Sequence, residues 1–422
     1  MRLRAIRGRG GGFSLPPWRV GSRARSEGPI AAPVAWTGRL LSLGFDKLGV
    51  VVAALLAIGA VAPFAVFRAN RIVAGEAKLF FEALPPLSAA LFALVVFAAA
   101  VVSLLRTPPR ARLATAVAFA IAAAGLIGIA ADHLTPPGNR FGRVAPGAGF
   151  WLLAFADSIL FADSVVRLKL GPLARILALA IGAAAFALAL WSGVWSGLSI
   201  LREYASRADV FWREAGAHLV LAVGSLVAAA AVGLPLGVLI ERRQGLRGPV
   251  LGTLNAIQTV PSIALFGILI GPLGWISVHV PGAAAIGVHG IGAAPAFLAL
   301  FLYSLLPMTA NTVVGLANVP RDVVDAADGM GMTGRQRLLS VELPLALPVI
   351  LTGVRIVLVQ NIGLATVAAL IGGGGFGVFV FAGLGQTAPD LILLGAVPTV
   401  LLAFAAAIVL DATVELATGA RP

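Results

Sequence analysis

The chain has 422 residues, of which 59% are hydrophobic and only 12% charged, at a mean hydropathy of +0.98. Soluble domains carry about 25% charged residues, so this composition excludes an ordinary water-soluble fold and points to a polytopic, all-α membrane protein. No cysteine is present, which excludes a disulfide framework, a cysteine-ligated metal and a thiol nucleophile, and the net charge is +13.

Residues 1–47 are rich in Arg and Gly and show no apolar period. They read as a disordered, basic cytoplasmic tail, with a transit peptide or a mis-assigned start as alternatives. About ten membrane helices follow, near 48–67, 86–105, 113–131, 149–166, 175–195, 218–240, 250–272, 295–316, 345–370 and 391–413. A helix rises about 1.5 Å per residue, so each can cross a hydrocarbon core about 30 Å thick.

With the N-terminus inside and the spans threaded alternately, 22 Lys and Arg residues fall on the cytoplasmic side and eight outside, with Arg355 inside a span. Setting the tail aside leaves 13 against eight. That asymmetry fits the positive-inside rule and explains the basic balance without a nucleic-acid partner. Trp151, Trp191, Trp195, Trp212 and Trp275 fall at the predicted outer interfaces, where amphipathic rings are at home. Both termini are expected in the cytoplasm of a bacterial cell, and the protein in its inner membrane.

Three units follow the tail. Residues 48–200 form an accessory five-helix block. The polar stretch "LREYASRADVFWREAGAH" at 201–218 suggests an amphipathic linker on the outer face over 201–217. Residues 218–422 form the second unit and hold most of the motifs. "GLPLG" (Gly233 to Gly237) and "GILIG" (Gly267 to Gly271) have the spacing that permits close helix packing in lipid. "IGGGGFG" at 371–377 cannot favour a continuous helix; a broken or re-entrant segment and an outer loop are both open.

The stretch "DAADGMGMTGRQRLLSVELP", residues 325–344, stands out from its apolar surroundings. Local signals over 320–344 predict two short helices around a bend. Pro320 suits a first turn, Gly331 suits a left-handed stop, and Thr333 with Gln336 matches a capping box. Pro344 marks another expected change of direction. Such a rigid knob is either a well-capped connector or a docking element for a cytoplasmic partner.

This stretch resembles the signature of ABC-importer permeases, in which Glu-Ala-Ala is followed by three residues, Gly, nine residues and Ile-x-Leu-Pro. Here Asp325, Ala326 and Ala327 precede three residues, Gly331, nine residues, then Val341, Glu342, Leu343 and Pro344. "NAIQTVPSIALFGILI" (255–270), "ELPLALPVILTGVRIV" (342–357) and "AALIGGGGFGVFVFAGL" (368–384) are similar to osmoprotectant permeases of the glycine betaine, carnitine and choline type. The first five spans resemble a longer, glycine betaine-type subgroup. The resemblance implies a type I ABC-importer permease core. It also implies that Asp325, Ala326, Ala327, Gly331, Leu343 and Pro344 couple the chain to a cytoplasmic ABC ATPase subunit. The solute implied is a quaternary ammonium compound. A permease for an amino acid or methionine is the alternative, and an ion-coupled secondary transporter a further one.

No phosphate-binding loop can be built here. It needs Lys followed by Ser or Thr, and Lys47, Lys78 and Lys169 are each followed by Leu. ATP and Mg are therefore expected on the partner ATPase, with no cofactor, metal or catalytic residue on this chain. No predicted outer loop exceeds about 22 residues, so a separate extracytoplasmic substrate-binding protein is expected, together with a second permease subunit of the same or another kind. Gln258, Thr259, Pro261 and Ser262, with Gln360 and Asn361, are candidates for the translocation path. Polar groups there also serve as bonds between helices. Arg355 reads as snorkelling, and Asp163 can pair with Arg167 four residues on.

Overall fold

The computed structural model describes residues 45–418, apart from 71–72, 136–138 and 140. The tail expected over 1–47 thus lies outside the described residues, save Phe45, Asp46 and Lys47.

The first unit opens with α1 (Lys47–Val61), whose amides at Leu48 and Gly49 donate to the Asp46 carboxylate at 3.0 and 3.4 Å. It is 15 residues long, about 22 Å, because Pro63 holds Ala62 in extended backbone. The rest of the expected first span instead forms β1 (Ala65–Arg68). Then come β2 (Glu76–Lys78), α2 (Phe80–Ala83), α3 (Pro86–Leu104), α4 (Pro109–Leu134), β3 (Arg143–Pro146), α5 (Ala148–Leu168) and α6 (Pro172–Trp191). Three of these helices begin at a proline, where the missing N–H costs nothing. The small sheet, in the order β2-β1-β3 and antiparallel throughout, is the main departure from the all-helical expectation.

One continuous apolar core joins α1, α3, α4 and α5, centred on Leu56, Phe64, Phe92, Phe119 and Leu153. At one end four charges close a ring. The Arg112 side chain, 1% exposed, meets Asp46 at 2.9 Å and Asp163 at 2.7 Å. Arg167 meets the same two carboxylates at 2.7 and 2.8 Å. Burial raises the Asp46 carboxyl pKa, but the Gly49 amide and the Arg112 and Arg167 guanidiniums outweigh it and hold it below the usual range.

The linker expected over 201–217 is divided differently. The short α7 (Ser199–Ser206) is separate, and the next ten residues are the first turns of a 35-residue helix, α8 (Ala208–Arg242). The span expected at 250–272 is two helices, α9 (Gln244–Thr259) and α10 (Ser262–His279), because Pro261 lacks the amide that would continue the ladder. The central α11 (Ala293–Ala317) leads to α12 (Arg321–Gly329), α13 (Gly334–Arg337), α14 (Leu343–Val367), α15 (Gly377–Gly385) and α16 (Pro389–Thr418). Nine helical runs among the described residues are long and apolar enough to cross a membrane, and α1 is a shorter apolar helix.

The two GxxxG stretches behave differently. A Cβ at Gly233 would meet Met308 Cβ at 2.9 Å and one at Gly237 would meet Thr312 Cβ at 2.5 Å, so α8 lies hard against α11. At Gly267 and Gly271 nothing lies within 4 Å.

Candidate functional site: a braced hairpin between two membrane helices

Residues 320–344 form α12, a tight bend and α13. The bend rests on Gly331 at φ +78°, a left-handed conformation in which L side chains are strained. Its amide donates to Asp328 O at 2.9 Å, and Met332 N donates to Ala327 O at 3.2 Å, closing the end of α12. Thr333 then starts α13 as expected of a capping box. The Gln336 amide donates to Thr333 Oγ1 at 3.4 Å, and Thr333 N donates to Gln336 Oε1 at 2.9 Å.

Pro344 does not turn the chain. A single π turn over Leu338–Glu342 carries α13 into α14, and Leu343 and Pro344 occupy the first positions of that helix, where proline is tolerated. The hairpin is therefore welded to a membrane helix. Ala327 packs inward at 1% exposure, while Asp325, Ala326 and Gly331 face solvent with Met330, which is 72% exposed.

A chain of charges braces the hairpin. Arg337 donates to both oxygens of Asp328, at 2.6 and 2.5 Å, and through Nε to Glu342 Oε1 at 2.8 Å. Arg242, at the end of α8, pairs with the other oxygen of Glu342. Thus Arg337 of α13 links Asp328 of α12 to a buried carboxylate at the mouth of α14, which the end of α8 shares. Sequence reasoning missed this brace. The signal was present in Glu342, an acid within the signature at the mouth of an apolar helix, which demands a partner.

The path candidates fall into two groups, each bonded to α11. Gln258 Nε2 donates to Tyr303 O of α11 at 2.6 Å, and Tyr303 OH donates to Val260 O at 2.5 Å, satisfying a carbonyl at the α9–α10 break. Thr259 Oγ1 donates to Ala256 O at 2.7 Å, and Pro261 caps α10 with Ser262 at its first position. Asn361 is fully buried. Its amide donates to Ser225 Oγ and Ser304 Oγ, both at 2.9 Å, tying α14 to α8 and α11. Gln360, its neighbour, is half-buried.

The glycine run is a broken segment. Gly372, Gly374 and Gly375 have φ near +80°, and the nine-residue α15 follows. Two side chains of α8 hold this turn: Gly375 N donates to Glu214 Oε2 at 2.9 Å, and Phe376 N to His218 Nδ1 at 3.4 Å. Arg355 does not snorkel alone. It pairs with Asp411 of α16 at 2.5 Å, and Arg175 of α6 reaches the same Asp411 at 2.5 Å and Glu415 beside it. These partners lie too far apart in sequence for local spacing to reveal.

A bundle of long apolar helices, interrupted by a braced polar hairpin, is the architecture of a polytopic membrane protein. Residues 233–417 match the family described as the binding-protein-dependent transport system inner membrane component. Residues 46–201 match the N-terminal domain of the ABC transporter permease YehY. The osmoprotectant import permease protein OsmW of Salmonella typhimurium is 44% identical over 194 residues, 46% of this chain and 83% of the relative. The glycine betaine/carnitine/choline transport system permease protein OpuCB of Bacillus subtilis is 38% identical over 190 residues, 45% of this chain and 80% of the relative. A solved inward-facing MetNI methionine ABC transporter aligns at 22% identity with a TM-score of 0.42, over 50% of this chain and 98% of that one.

The chain belongs to the inner-membrane permeases of binding-protein-dependent ABC importers, among the osmoprotectant permeases. It is a multi-pass inner-membrane transport subunit rather than an enzyme. Membership implies an ATPase, a substrate-binding partner and a second permease.

Proposed function

We propose that this chain forms the membrane path of an ATP-driven importer for a quaternary ammonium osmoprotectant such as glycine betaine, carnitine or choline, and that residues 320–344 are its handle. The observation that carries the reading is the braced hairpin. Asp325, Ala326, Ala327 and Gly331 lie on α12 and its bend, and the α13 that follows runs through Leu343 and Pro344 into α14 without a break. A push on α12 is transmitted through Arg337 and Glu342 to α14 and through Arg242 to α8.

In this reading the hairpin and both termini face the cytoplasm. ATP and Mg are bound by the partner ATPase, whose closure moves the hairpins of two permease subunits and opens the path outward. A separate binding protein delivers the solute. The α9–α10 break, with Gln258, Thr259, Pro261 and Ser262, and Gln360 on α14 line the route, because broken backbone in a membrane is tolerated beside a cavity. Asn361 holds the helices together.

The test is Gly331→Arg. The position has open space around it, so the side chain projects into any partner seated there, and the left-handed backbone adds strain. Membrane insertion should persist, while uptake driven by ATP falls at least about tenfold, about 1.4 kcal/mol of coupling. Wild-type uptake by this variant contradicts the reading.

A further inference from the structure

A polar cavity lies away from the residues assigned to the transport path. It lies where the small sheet of the first unit meets the turn between α15 and α16, and its volume is about 440 Å³, within the range of small-molecule sites. Arg68, Arg143, Glu203, Gln386, Thr387 and Asp390 line it.

The strand register puts Arg68 directly opposite Arg143 on antiparallel β1 and β3. Like charges so placed repel unless something negative lies between or beside them. Among the described residues two carboxylates stand near this pair. Asp390 stands 3.9 Å from Arg68, and Glu203 already pairs with Arg207 at 3.5 Å. Arg143 Nε and Asp390 Oδ1 are both buried, and neither has a hydrogen-bond partner among the described residues. Leaving such groups unmatched is costly, and a guanidinium with its Nε unmatched fits a carboxylate.

The cavity wall is strained at one point. Thr387 has φ +49°, and a β-branched residue in that region is a genuine outlier. Strain of this kind gathers at ligand sites. The strained turn belongs to the core and the arginines to the accessory block, so an occupant touches both.

We propose that this cavity is a subsite for a small zwitterion, with Arg68 and Arg143 taking its carboxylate while its compact cationic end lies toward Asp390. A ligand of both signs gives the orphaned Arg143 donor an acceptor and sets a positive charge beside the orphaned Asp390 oxygen, which a simple anion does not. The identity of the zwitterion rests on the transport reading above: betaine and carnitine carry the carboxylate, whereas choline lacks it.

The experiment uses the full chain in lipid nanodiscs without binding protein, and measures equilibrium binding of glycine betaine, carnitine and choline. Betaine and carnitine should bind at least about tenfold more tightly than choline. Arg143→Ala and Arg68→Ala should each weaken betaine about tenfold or more, and Arg143→Lys less. Ala388→Leu narrows the cavity without touching a charge and should also weaken betaine, with thermal unfolding confirming a folded chain for each variant. Equal binding of choline and betaine, or betaine binding unchanged in Arg143→Ala, overturns the subsite. So does a result in which no solute binds and Arg143→Ala only weakens association with the binding protein, which makes the cavity a protein-docking surface. The transport reading fails separately, if the complete complex takes up no quaternary ammonium solute on ATP. Uptake without binding at Arg143 removes the subsite alone.

Discussion

The two halves of this membrane protein keep their charges for different ends. In the accessory block Asp46, Arg112, Asp163 and Arg167 close on one another at a single end, above one continuous apolar core. In the transport core the comparable chain, Arg242, Glu342, Arg337 and Asp328, runs out of the helices onto an exposed hairpin, and the apolar core is divided into four smaller clusters. A closed ring on an undivided core resists displacement. An open chain on a divided core passes displacement along. On the proposed transport reading, the accessory block is the fixed body and the core the moving part.

The largest effect that would sharpen this contrast lies in the fixed body. Arg112→Leu leaves Asp46 and Asp163 facing each other with only the half-exposed Arg167 between them. Breaking a buried network of this kind costs about 3–5 kcal/mol, so thermal unfolding of the purified chain should shift sharply downward. A variant with unaltered unfolding shows that the ring is decorative and the contrast false.

Glu342→Gln acts on the moving part. It keeps the shape but removes the charge shared by Arg242 and Arg337, and so weakens both of their bonds. The expected outcome is a modest loss of stability with a severalfold drop in solute moved per ATP hydrolysed. An unchanged ratio places the transmission elsewhere.

Asn361→Leu should do less. It removes bonds to Ser225 and Ser304 worth about 1–2 kcal/mol, so melting should fall slightly while solute preference stays the same. A changed preference returns Asn361 to the transport path.

The sequence made the helices legible because apolar length is read directly by lipid, and it made the hairpin legible because caps and turn residues act locally. Thr333, Gln336 and Gly331 do what their types dictate. What stayed hidden depended on distant partners. The end of the first apolar run becomes a strand only because β2 and β3 flank it, and Asp411 collects Arg175 and Arg355 from two other helices. Pro344 misleads for a related reason: at the start of α14 a proline is harmless, and the π turn before it, fixed by Glu342, lets the chain run straight on.

The central claim, that residues 320–344 are a handle gripped by a nucleotide-hydrolysing partner, is most directly tested by a single label. The 422 residues contain no cysteine, so Met330→Cys, at a position 72% exposed on the hairpin, introduces a unique thiol. In inside-out vesicles that thiol should react with a membrane-impermeant maleimide, and a short bifunctional crosslinker should join it to the ATPase subunit. Labelling only from the outer face, or no crosslink to the ATPase in an active complex, contradicts the account.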